Sequence, residues 1–410
     1  MLEPELRFPE FSGHPVQYLH LADATTESTE RNGSGQATAQ IMGVSKVEGI
    51  VPMEERIVAA DTARYKFVRK HWFAYNPMRL NIGSIARWQG DDDILVSPDY
   101  VVFKCKTSGP HRLDPGYLDH FRRSDAWEDF VSEKGDGSVR VRIYYKDLAR
   151  LQLALPSFPE QQKIADCLDS ADALIAVQGR KVEALKAHKK GLMQQLFPQE
   201  GETQPRLRFP EFEGAGEWDE VRLSKLGDLV SGLTYSPDDV REDGLLVLRS
   251  SNIQGGKIDL NDCVYVDPNI KGANLSQPND ILVCVRNGST ALIGKTALIP
   301  KGMPLCTHGA FMTVFRSHAP KFVFQLFQTS RYQKQVAGDL GATINSINGA
   351  QFLRYKFFVP KPPEQQRIAD CLTSLDDLIA AETRKLDTLK THKKGLMQQL
   401  FPPQVGEVDV

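Results

Sequence analysis

The sequence predicts an α+β fold in which two mixed α/β domains are separated by a pair of long helices, with a pseudo-two-fold internal repeat. Three observations predict this fold. A 40-residue segment occurs twice, at 159–198 and 363–402, and 29 of its 40 positions are identical in the two copies. Apolar residues recur at helical spacing through both copies, and a block of strand-like runs precedes each copy.

Both copies carry a heptad pattern, in which seam residues alternate at spacings of four and three for more than four repeats. Pro159 and Pro363 suit a first helical turn, and Pro198 and Pro402 mark the ends. Each helix would span roughly 55 Å at about 1.5 Å per residue. Two near-identical helices in one chain favour pairing with each other over separate burial, so the sequence predicts a coiled coil.

Polar residues interrupt both seams at matching places, with Gln178 and Lys189 in the first copy and Glu382 and Lys393 in the second. We expect these residues to choose the register of the pair. The lysine stems would lie along the seam with their ammonium groups in water.

The C-terminal ends of both helices are more apolar than a two-helix seam requires. They are therefore candidate docking surfaces for a partner, and the alternative is packing against another segment of the chain. The residues concerned are Leu192, Met193, Leu196, Phe197, Leu396, Met397, Leu400 and Phe401.

The hexapeptide LRFPEF is that other segment, and it occurs at 6–11 and again at 207–212, just after the first long helix. No copy follows the second helix. The simplest arrangement is cyclic, with the N-terminal copy packed where the second helix ends. We therefore predict that Phe8 or Phe11 lies near that end.

The composition sets the broad class. A chain of 410 residues should hold two or three domains, and a net charge of -2 means that any nucleic-acid role must rest on local clusters. Six cysteines without a CxxC pair fit neither a disulfide framework nor a zinc knuckle and indicate a reducing cytosol. No apolar run approaches the ~20 residues that span a bilayer, so we expect a cytoplasmic protein.

The first variable block, residues 13 to 155, contains strand-like or mixed runs at 65–77, 99–105 and 139–145. Residues 62–90 include no acidic side chain but six basic ones, interleaved with aromatics. This pattern is typical of a surface that positions phosphates and reads bases, although a solvated face over a core of aromatics would look similar. The candidate contact residues are Arg69, Lys70, Asn76, Arg79 and Asn81.

The second variable block, residues 214 to 358, has strand signals at 245–250, 263–266, 280–286, 295–299 and 310–315. Residues 281–338 again lack acidic side chains and hold seven basic ones. An acid-free run in each block favours an anion-facing surface, and a DNA duplex is the obvious large anion. The candidate contact residues are Tyr235, Arg249, Ser250, Asn252, Arg286, Asn287 and Lys295.

The repeat extends upstream of the helices, while most of the two blocks shows little sequence similarity. Four residues recur at the helices' own offset of 204: Gly137, Ile143, Arg150 and Pro156 match Gly341, Ile347, Arg354 and Pro360. A duplicated scaffold therefore presents two unlike domains. Such a chain suits the reading of two different half-sites at a fixed separation.

Motifs of catalysis are absent from the sequence, which contains no HExxH, GxSxG or CxxC. The run GSTALIGKT at 288–296 places five residues between its glycines, whereas a phosphate loop requires four. We therefore expect no metal site and no cofactor in this chain.

The duplicated PEQQ…IADCL opening and KKGLMQQLF ending, each preceded by a variable domain, resemble the specificity subunits of type I restriction-modification systems. The runs FAYNPMRLNIGSIA at 73–86, SPDYVVF at 97–103, GLTYSPDD at 232–239 and VLRSSNIQGGKID at 247–259 add to the resemblance. It covers nearly the whole chain.

The resemblance implies that two target-recognition domains each read half of an asymmetric, bipartite site in double-stranded DNA. The long helices would pair antiparallel as the spacer, giving segments 1–155, 156–200, 201–358 and 359–410. Two modification subunits, which bind S-adenosylmethionine and methylate adenine, would dock on the repeated regions, and restriction subunits that hydrolyse ATP with Mg²⁺ would join them. The chain itself would be non-catalytic.

Two other classes of function compete with this one. A coiled-coil assembly scaffold would bind no DNA even with a methyltransferase partner, whereas a reader should bind DNA with steep salt dependence. An enzyme, such as a fused nuclease-methyltransferase part, would need a carboxylate cluster arranged as metal ligands, which the sequence does not show.

Overall fold

The computed structural model describes residues 4–33, 40–53, 62–133, 142–340 and 345–401. The chain divides into two compact units. Unit 1 is formed by residues 1–179 and 384–410, and unit 2 by residues 180–383. Across the described ranges, the helices lack the combination of length and apolar character that crossing a membrane requires.

Unit 1 combines short strands, short helices and parts of two long helices. Its strands are β1 (Gln17–His20), β2 (Thr25–Glu27), β3 (Ile41–Ser45), β4 (Gly49–Pro52), β5 (Lys66–Val68), β6 (Phe73–Tyr75), β7 (Ile85–Arg87), β8 (Ile94–Val96), β9 (Val101–Cys105) and β10 (Gln152–Leu155). Its helices are α1 (Leu21–Ala24), α2 (Pro115–Phe121), α3 (Asp125–Glu133), α4 (Tyr145–Leu148) and the first part of α5 (Phe158–Leu196).

Unit 2 follows the same plan. Its strands are β11 (Asp219–Arg222), β12 (Gly227–Ser231), β13 (Val240–Arg241), β14 (Leu245–Leu248), β15 (Ile253–Gln254), β16 (Lys257–Ile258), β17 (Tyr265–Val266), β18 (Ile281–Cys284), β19 (Thr296–Leu298), β20 (Cys306–His308), β21 (Met312–Ser317) and β22 (Lys356–Val359). Its helices are α6 (Pro320–Leu326), α7 (Ser330–Asp339), α8 (Gly349–Phe352) and the first part of α9 (Pro362–Leu400), whose end belongs to unit 1.

The two units share a strand topology that their sequences do not reveal. In unit 1 the order β2-β9-β6-β7 is antiparallel throughout, and β12-β21-β18-β19 repeats it in unit 2. A parallel pair also recurs, as β3 with β8 and as β14 with β20. The mixed fold class is confirmed, and the duplication extends into the variable blocks.

Residues 139–145 were predicted as a strand-like or mixed run, and the described part of that run, from 142 onward, forms no strand. Residues 139–141, like Gly137 and Gly341, lie outside the described residues. The backbone amide of Tyr144 donates to the Asp147 carboxylate at 3.2 Å, and helix α4 begins at Tyr145. This local capping box favours a helix start over a strand.

The long helices are confirmed, and their bounds lie within two residues of the prediction. Each has 39 residues and ends two residues before the position of Pro198 or of Pro402, the latter outside the described residues. In unit 2 the pairs Lys181–Glu382 and Lys189–Asp376 run in opposite directions along the two helices. The helices of unit 2 are therefore antiparallel, as the resemblance implies.

In unit 1 the start of α5 packs against the end of α9. Ile164 and Leu168 share one buried cluster with Met397, Leu400 and Phe401. This arrangement is antiparallel as well. The seam residues near the ends of the two helices thus complete the core of each unit.

The expectation that the seam lysines hold their ammonium groups in water is wrong. Lys189 Nζ lies 2.6 and 2.7 Å from the Asp376 carboxylate oxygens, and Lys393 Nζ lies 2.6 Å from both oxygens of Asp172. Only 11% of either lysine side chain is exposed. A buried ammonium requires a counter-ion, and each repeat supplies an aspartate at the matching place.

The cyclic arrangement of the LRFPEF segments is confirmed in unit 1. The backbone amide of Leu6 donates to the carbonyl of Gln399 at 3.0 Å, and Phe8 packs against the cluster at the end of α9. Unit 2 repeats this contact, because Leu207 donates to Gln195 at 3.0 Å.

A buried ion pair fastens each of these segments to the start of a long helix. Arg7 contacts both carboxylate oxygens of Glu160, at 2.7 and 2.8 Å, and Arg208 contacts those of Glu364, at 2.9 and 2.6 Å. These forked contacts fix the segments more strongly than single hydrogen bonds would.

The apolar helix ends belong largely to the cores of their own units. Leu196, Phe197, Met397, Leu400 and Phe401 are buried, whereas Leu192, Met193 and Leu396 are half-buried. The LRFPEF segments and the small helices cover them. Burial favours the packing alternative for the five buried residues and weakens the docking prediction, which stays a prediction for the half-buried ones.

Candidate nucleic-acid interface

Several loops of unit 2 converge at the end of β18. We call residues 232–235, 249–251, 285–289, 309–311 and 345–346 the unit 2 loop cluster. Backbone hydrogen bonds tie it together, since Ala310 donates to Leu233 at 2.9 Å and Arg286 donates to Phe311 at 3.0 Å. The Asn345 side chain adds a bond of 3.3 Å to the Gly288 carbonyl.

The cluster gathers five of the seven residues predicted for this block, namely Tyr235, Arg249, Ser250, Arg286 and Asn287. The Asn287 side-chain amide donates to Ser250 Oγ at 2.9 Å, which joins two of the loops. Arg286 is exposed and its guanidinium carbon lies 5.8 Å from the centre of the Phe311 ring. Arg249 is held by Asp262 at 2.7 Å.

Two predicted residues stand apart from this group. Asn252 is fully buried, accepts from the Arg249 amide and donates to the carbonyls of Asp259 and Asp262. Base contact by Asn252 stays a prediction, and its burial weakens that prediction because all of its hydrogen-bonding groups serve the local turn. Lys295 is exposed at the base of the β18–β19 hairpin.

The basic residues of the acid-free run 281–338 fall into two groups, those with a carboxylate partner and those without one. Arg316, Arg331 and Lys334 contact Asp280, Glu220 and Glu200, which lie outside the run. Within the described ranges, the remaining four have no carboxylate partner: Arg286, Lys295, Lys301 and Lys321. Uncompensated cations are the ones available to a polyanion.

In unit 1 the structure separates the five predicted residues into two groups at opposite ends of β6. Asn76, Arg79 and Asn81 follow β6, in the loop that corresponds to the β18–β19 hairpin of unit 2. Arg79 and Asn81 are exposed, whereas the Asn76 carbonyl oxygen accepts from the Met78 amide at 3.0 Å and stabilises the turn. The Arg79 guanidinium contacts no carboxylate in the part of the chain that the structure describes.

Arg69 and Lys70 precede β6, and acidic residues from outside the run surround them. Arg69 pairs with Glu30 and Asp93, and Lys70 Nζ lies 2.6 Å from Asp91. Folding therefore neutralises much of the charge that made this part of the sequence look basic. Arg79 and Asn81 are the stronger candidates of this block.

A basic cleft at the Lys70 end of β6 was not predicted. It is lined by Lys70, His71, Trp72, Arg87, Lys104 and Lys106 together with small polar residues and Asp114. The Lys104 ammonium lies 5.2 Å from the centre of the Trp72 ring. The sequence feature that could have indicated this cleft is the pair of lysines at the end of β9, Lys104 and Lys106. Both lie outside the acid-free run.

His71 adds no charge to this cleft at neutral pH. Burial, and then the nearby Arg87 and Lys70 cations, lower the pKa of His71 below its usual value. Since Lys70 pairs with Asp91 and Arg87 with Asp119, the positive potential of the cleft comes chiefly from Lys104 and Lys106.

One group of side chains in the described residues has the chemistry of metal ligands. His120, Asp169 and Asp172 lie close together in unit 1, with His120 Nε2 at 2.8 Å from Asp169 Oδ1. Asp172, however, already binds the Lys393 ammonium through both oxygens. That cation compensates the carboxylate and makes the cluster a poor site for a metal ion.

The mixed units, the long helices and the basic loops define a class of protein. Residues 215–391 match the family model described as the type I restriction modification DNA specificity domain. The resemblance to type I specificity subunits that the repeats predict is thereby confirmed.

The relatives include the StySPI specificity subunit of Salmonella potsdam, 30% identical over 199 residues, which are 46% of this chain and 42% of that protein. The EcoKI specificity subunit of Escherichia coli K12 is 32% identical over 195 residues, 45% and 40% of the two chains. The matched segments thus cover less than half of either relative.

The whole fold has a solved counterpart. The S subunit of a type I restriction-modification system from M. genitalium superposes with a TM-score of 0.62, at 13% identity, over 98% of this chain and 100% of that one. At this level of identity the likeness concerns the fold alone.

Proposed function

We propose that this chain is the DNA-recognition subunit of a type I restriction-modification complex. Each variable domain reads one half of a bipartite, asymmetric site in double-stranded DNA, and the helix pair sets the spacing between the halves. The domains correspond to residues 1–155 and 201–358, and the helical segments to 156–200 and 359–410. The named specificity subunits among the relatives support this assignment.

The observation that carries the proposal is the repeated topology with unlike loops. Equivalent hairpins, β6–β7 and β18–β19, expose Arg79 in unit 1 and Arg286 in unit 2, each without a carboxylate partner among the described residues. Arginine is the side chain most often used to read guanine in the major groove. Two copies of one scaffold with different loop residues suit two different half-sites.

The partners follow from the same assignment. Two modification subunits would supply S-adenosylmethionine and the methyl transfer to adenine, and restriction subunits would supply ATP hydrolysis with Mg²⁺. The exposed parts of the helix ends, including Leu192, Met193 and Leu396, are candidate contacts for the modification subunits. Such a complex acts on DNA in the cytoplasm.

Methylation mapping tests the proposal. The full chain is produced together with its modification subunit in a host that lacks adenine methylation, and methyladenine positions are mapped in the host DNA. We expect one bipartite motif whose two halves differ and are separated by a constant gap. Absence of any chain-dependent motif, with no DNA binding by the complex at low salt, would instead support the assembly scaffold.

A further inference from the structure

Phe311 is a prominent side chain of the unit 2 loop cluster, and it is not among the contact residues predicted from the sequence. It lies between β20 and β21, and 57% of its surface is exposed. Single exposed apolar residues are common on proteins and carry no meaning alone. The surroundings of this ring therefore decide whether it has a role.

The backbone at Phe311 is held firmly. Its carbonyl oxygen accepts from the amides of Val285 and Arg286 at 3.1 and 3.0 Å, and Met312 donates to Gly309 at 2.8 Å. Gly232 permits this close packing, because a Cβ there would lie 2.2 Å from the Gly309 carbonyl oxygen. The phenyl ring thus projects from a fixed loop, which limits the conformational entropy that an intermolecular contact would cost.

The neighbours of the ring are side chains of the chemical types that can read bases. Arg286 lies beside it, and Asn287, bonded to Ser250, follows directly in the chain. In unit 1 the residue that precedes the matching strand β9 is Tyr100, also an aromatic residue. An aromatic ring at this position is therefore common to both units.

We propose that Phe311 makes an apolar contact with the bases of one half-site, next to the hydrogen-bonding groups of Arg286 and Asn287. This inference rests on the proposed function and deepens it. Phenylalanine can pack on a thymine methyl group in the major groove, and aromatic rings can stack on exposed base faces. Both contacts remove the exposed ring from water.

The test compares Phe311→Ala with Leu305→Ala in the complete complex with the modification subunit. Leu305 is 59% exposed and lies at the opposite end of β20, so it controls for the loss of any exposed apolar side chain. Binding is measured on a duplex with the mapped motif, on single-base variants of each half-site, and on a duplex without the motif.

We expect Phe311→Ala to lower affinity for the mapped motif about ten-fold, within the range of a lost base contact. Phe311→Ala should also reduce the discrimination against single-base variants at one or two positions of a single half-site. It should leave binding to the motif-free duplex unchanged, and Leu305→Ala should have no effect. Unaltered discrimination by Phe311→Ala, or loss of the modification subunit from the variant complex, would overturn the inference. If the wild-type complex recognises no bipartite motif, the proposed function itself fails.

Discussion

At the scale of single residues, Asn252 shows how a side chain of the right chemical type can be part of the scaffold. Its side chain is buried and bonds one backbone amide and two carbonyls. Replacement by alanine leaves these groups unsatisfied, so Asn252→Ala should lower the free energy of unfolding of unit 2 by about 2–4 kcal/mol. Urea denaturation measures the loss.

Asn287→Ala is the matched control for this prediction. Asn287 is only half-buried and makes one side-chain bond to Ser250 besides its turn contact, so its loss should cost less than about 1.5 kcal/mol. A stable Asn252→Ala variant that loses recognition of one half-site would restore the base-reading interpretation.

Arg286 is expected to contact a base, whereas Asn252 is expected to stabilise the fold. Its guanidinium is exposed beside Phe311 and lacks a carboxylate partner in the described ranges, so folding does not depend on its charge. Arg286→Ala should reduce discrimination at one half-site about ten-fold, as expected when a bidentate contact to a base is lost. Competition binding with single-base variants of the mapped motif measures this effect.

Arg331→Ala provides the comparison, because Arg331 pairs with Glu220 and lies in the same acid-free run. It should leave discrimination unchanged. An equal loss of affinity by Arg286→Ala on all DNA would make Arg286 a phosphate contact instead.

The sequence could identify residue types at the candidate site but not their surroundings. Arg69 and Arg79 look equivalent in the acid-free run, yet acidic residues from outside the run surround only Arg69. Those partners are distant in sequence, so no local pattern reveals them. Phe311 was overlooked for the same reason, since its exposure depends on how five loops pack.

At the scale of elements, the paired seam ions determine how the long helices tolerate mutation. The Asp376 carboxylate pairs with the Lys189 ammonium and accepts a further hydrogen bond from the Gln325 side-chain amide. Asp376→Asn would leave a buried ammonium without its counter-ion, which should cost about 3 kcal/mol in unfolding free energy. Glu183→Gln, which loosens the exposed Lys186–Glu183 pair, should change stability by less than about 0.5 kcal/mol.

The double variant Lys189→Met with Asp376→Leu sharpens this test. Replacing both charges by apolar groups of similar size removes the desolvation cost together with the attraction, so the pair should be less destabilised than Asp376→Asn alone. Denaturant unfolding of the three variants decides the matter. A double variant at least as unstable as the single one would show that the ion pair itself provides net stability.

The elements differ in how far local sequence determines them. Heptads and flanking prolines act locally, which is why the bounds of α5 and α9 were predicted to within two residues. Strand β1 has four residues and pairs with β10, from Gln17 with Leu155 to His20 with Gln152. Such a short strand is stabilised by pairing with a strand that is distant in sequence. Its own four residues show no pattern that predicts a strand.

At the scale of the whole molecule, the repeat predicted the packing of the N-terminal segment but not the division into units. Each unit takes one variable block and half of each long helix. This division depends on which helix ends pack into the same core. Leu168 of α5 and Leu400 of α9, for example, lie in one buried cluster. The boundaries of the two DNA-recognition domains, which were predicted from the sequence, stay a prediction.

The two units should act independently in recognition. Arg79 and Arg286 lie on equivalent hairpins of separate compact units, and no described residue bonds to both side chains. Substitutions without shared partners usually add in free energy to within about 0.5 kcal/mol. Arg79→Ala should therefore relax one half-site, Arg286→Ala the other, and the double variant both, with the two losses of specificity multiplied. Binding to duplexes altered in one half-site at a time measures each effect. If both single variants relax the same half-site, the assignment of one half-site to each variable domain is wrong.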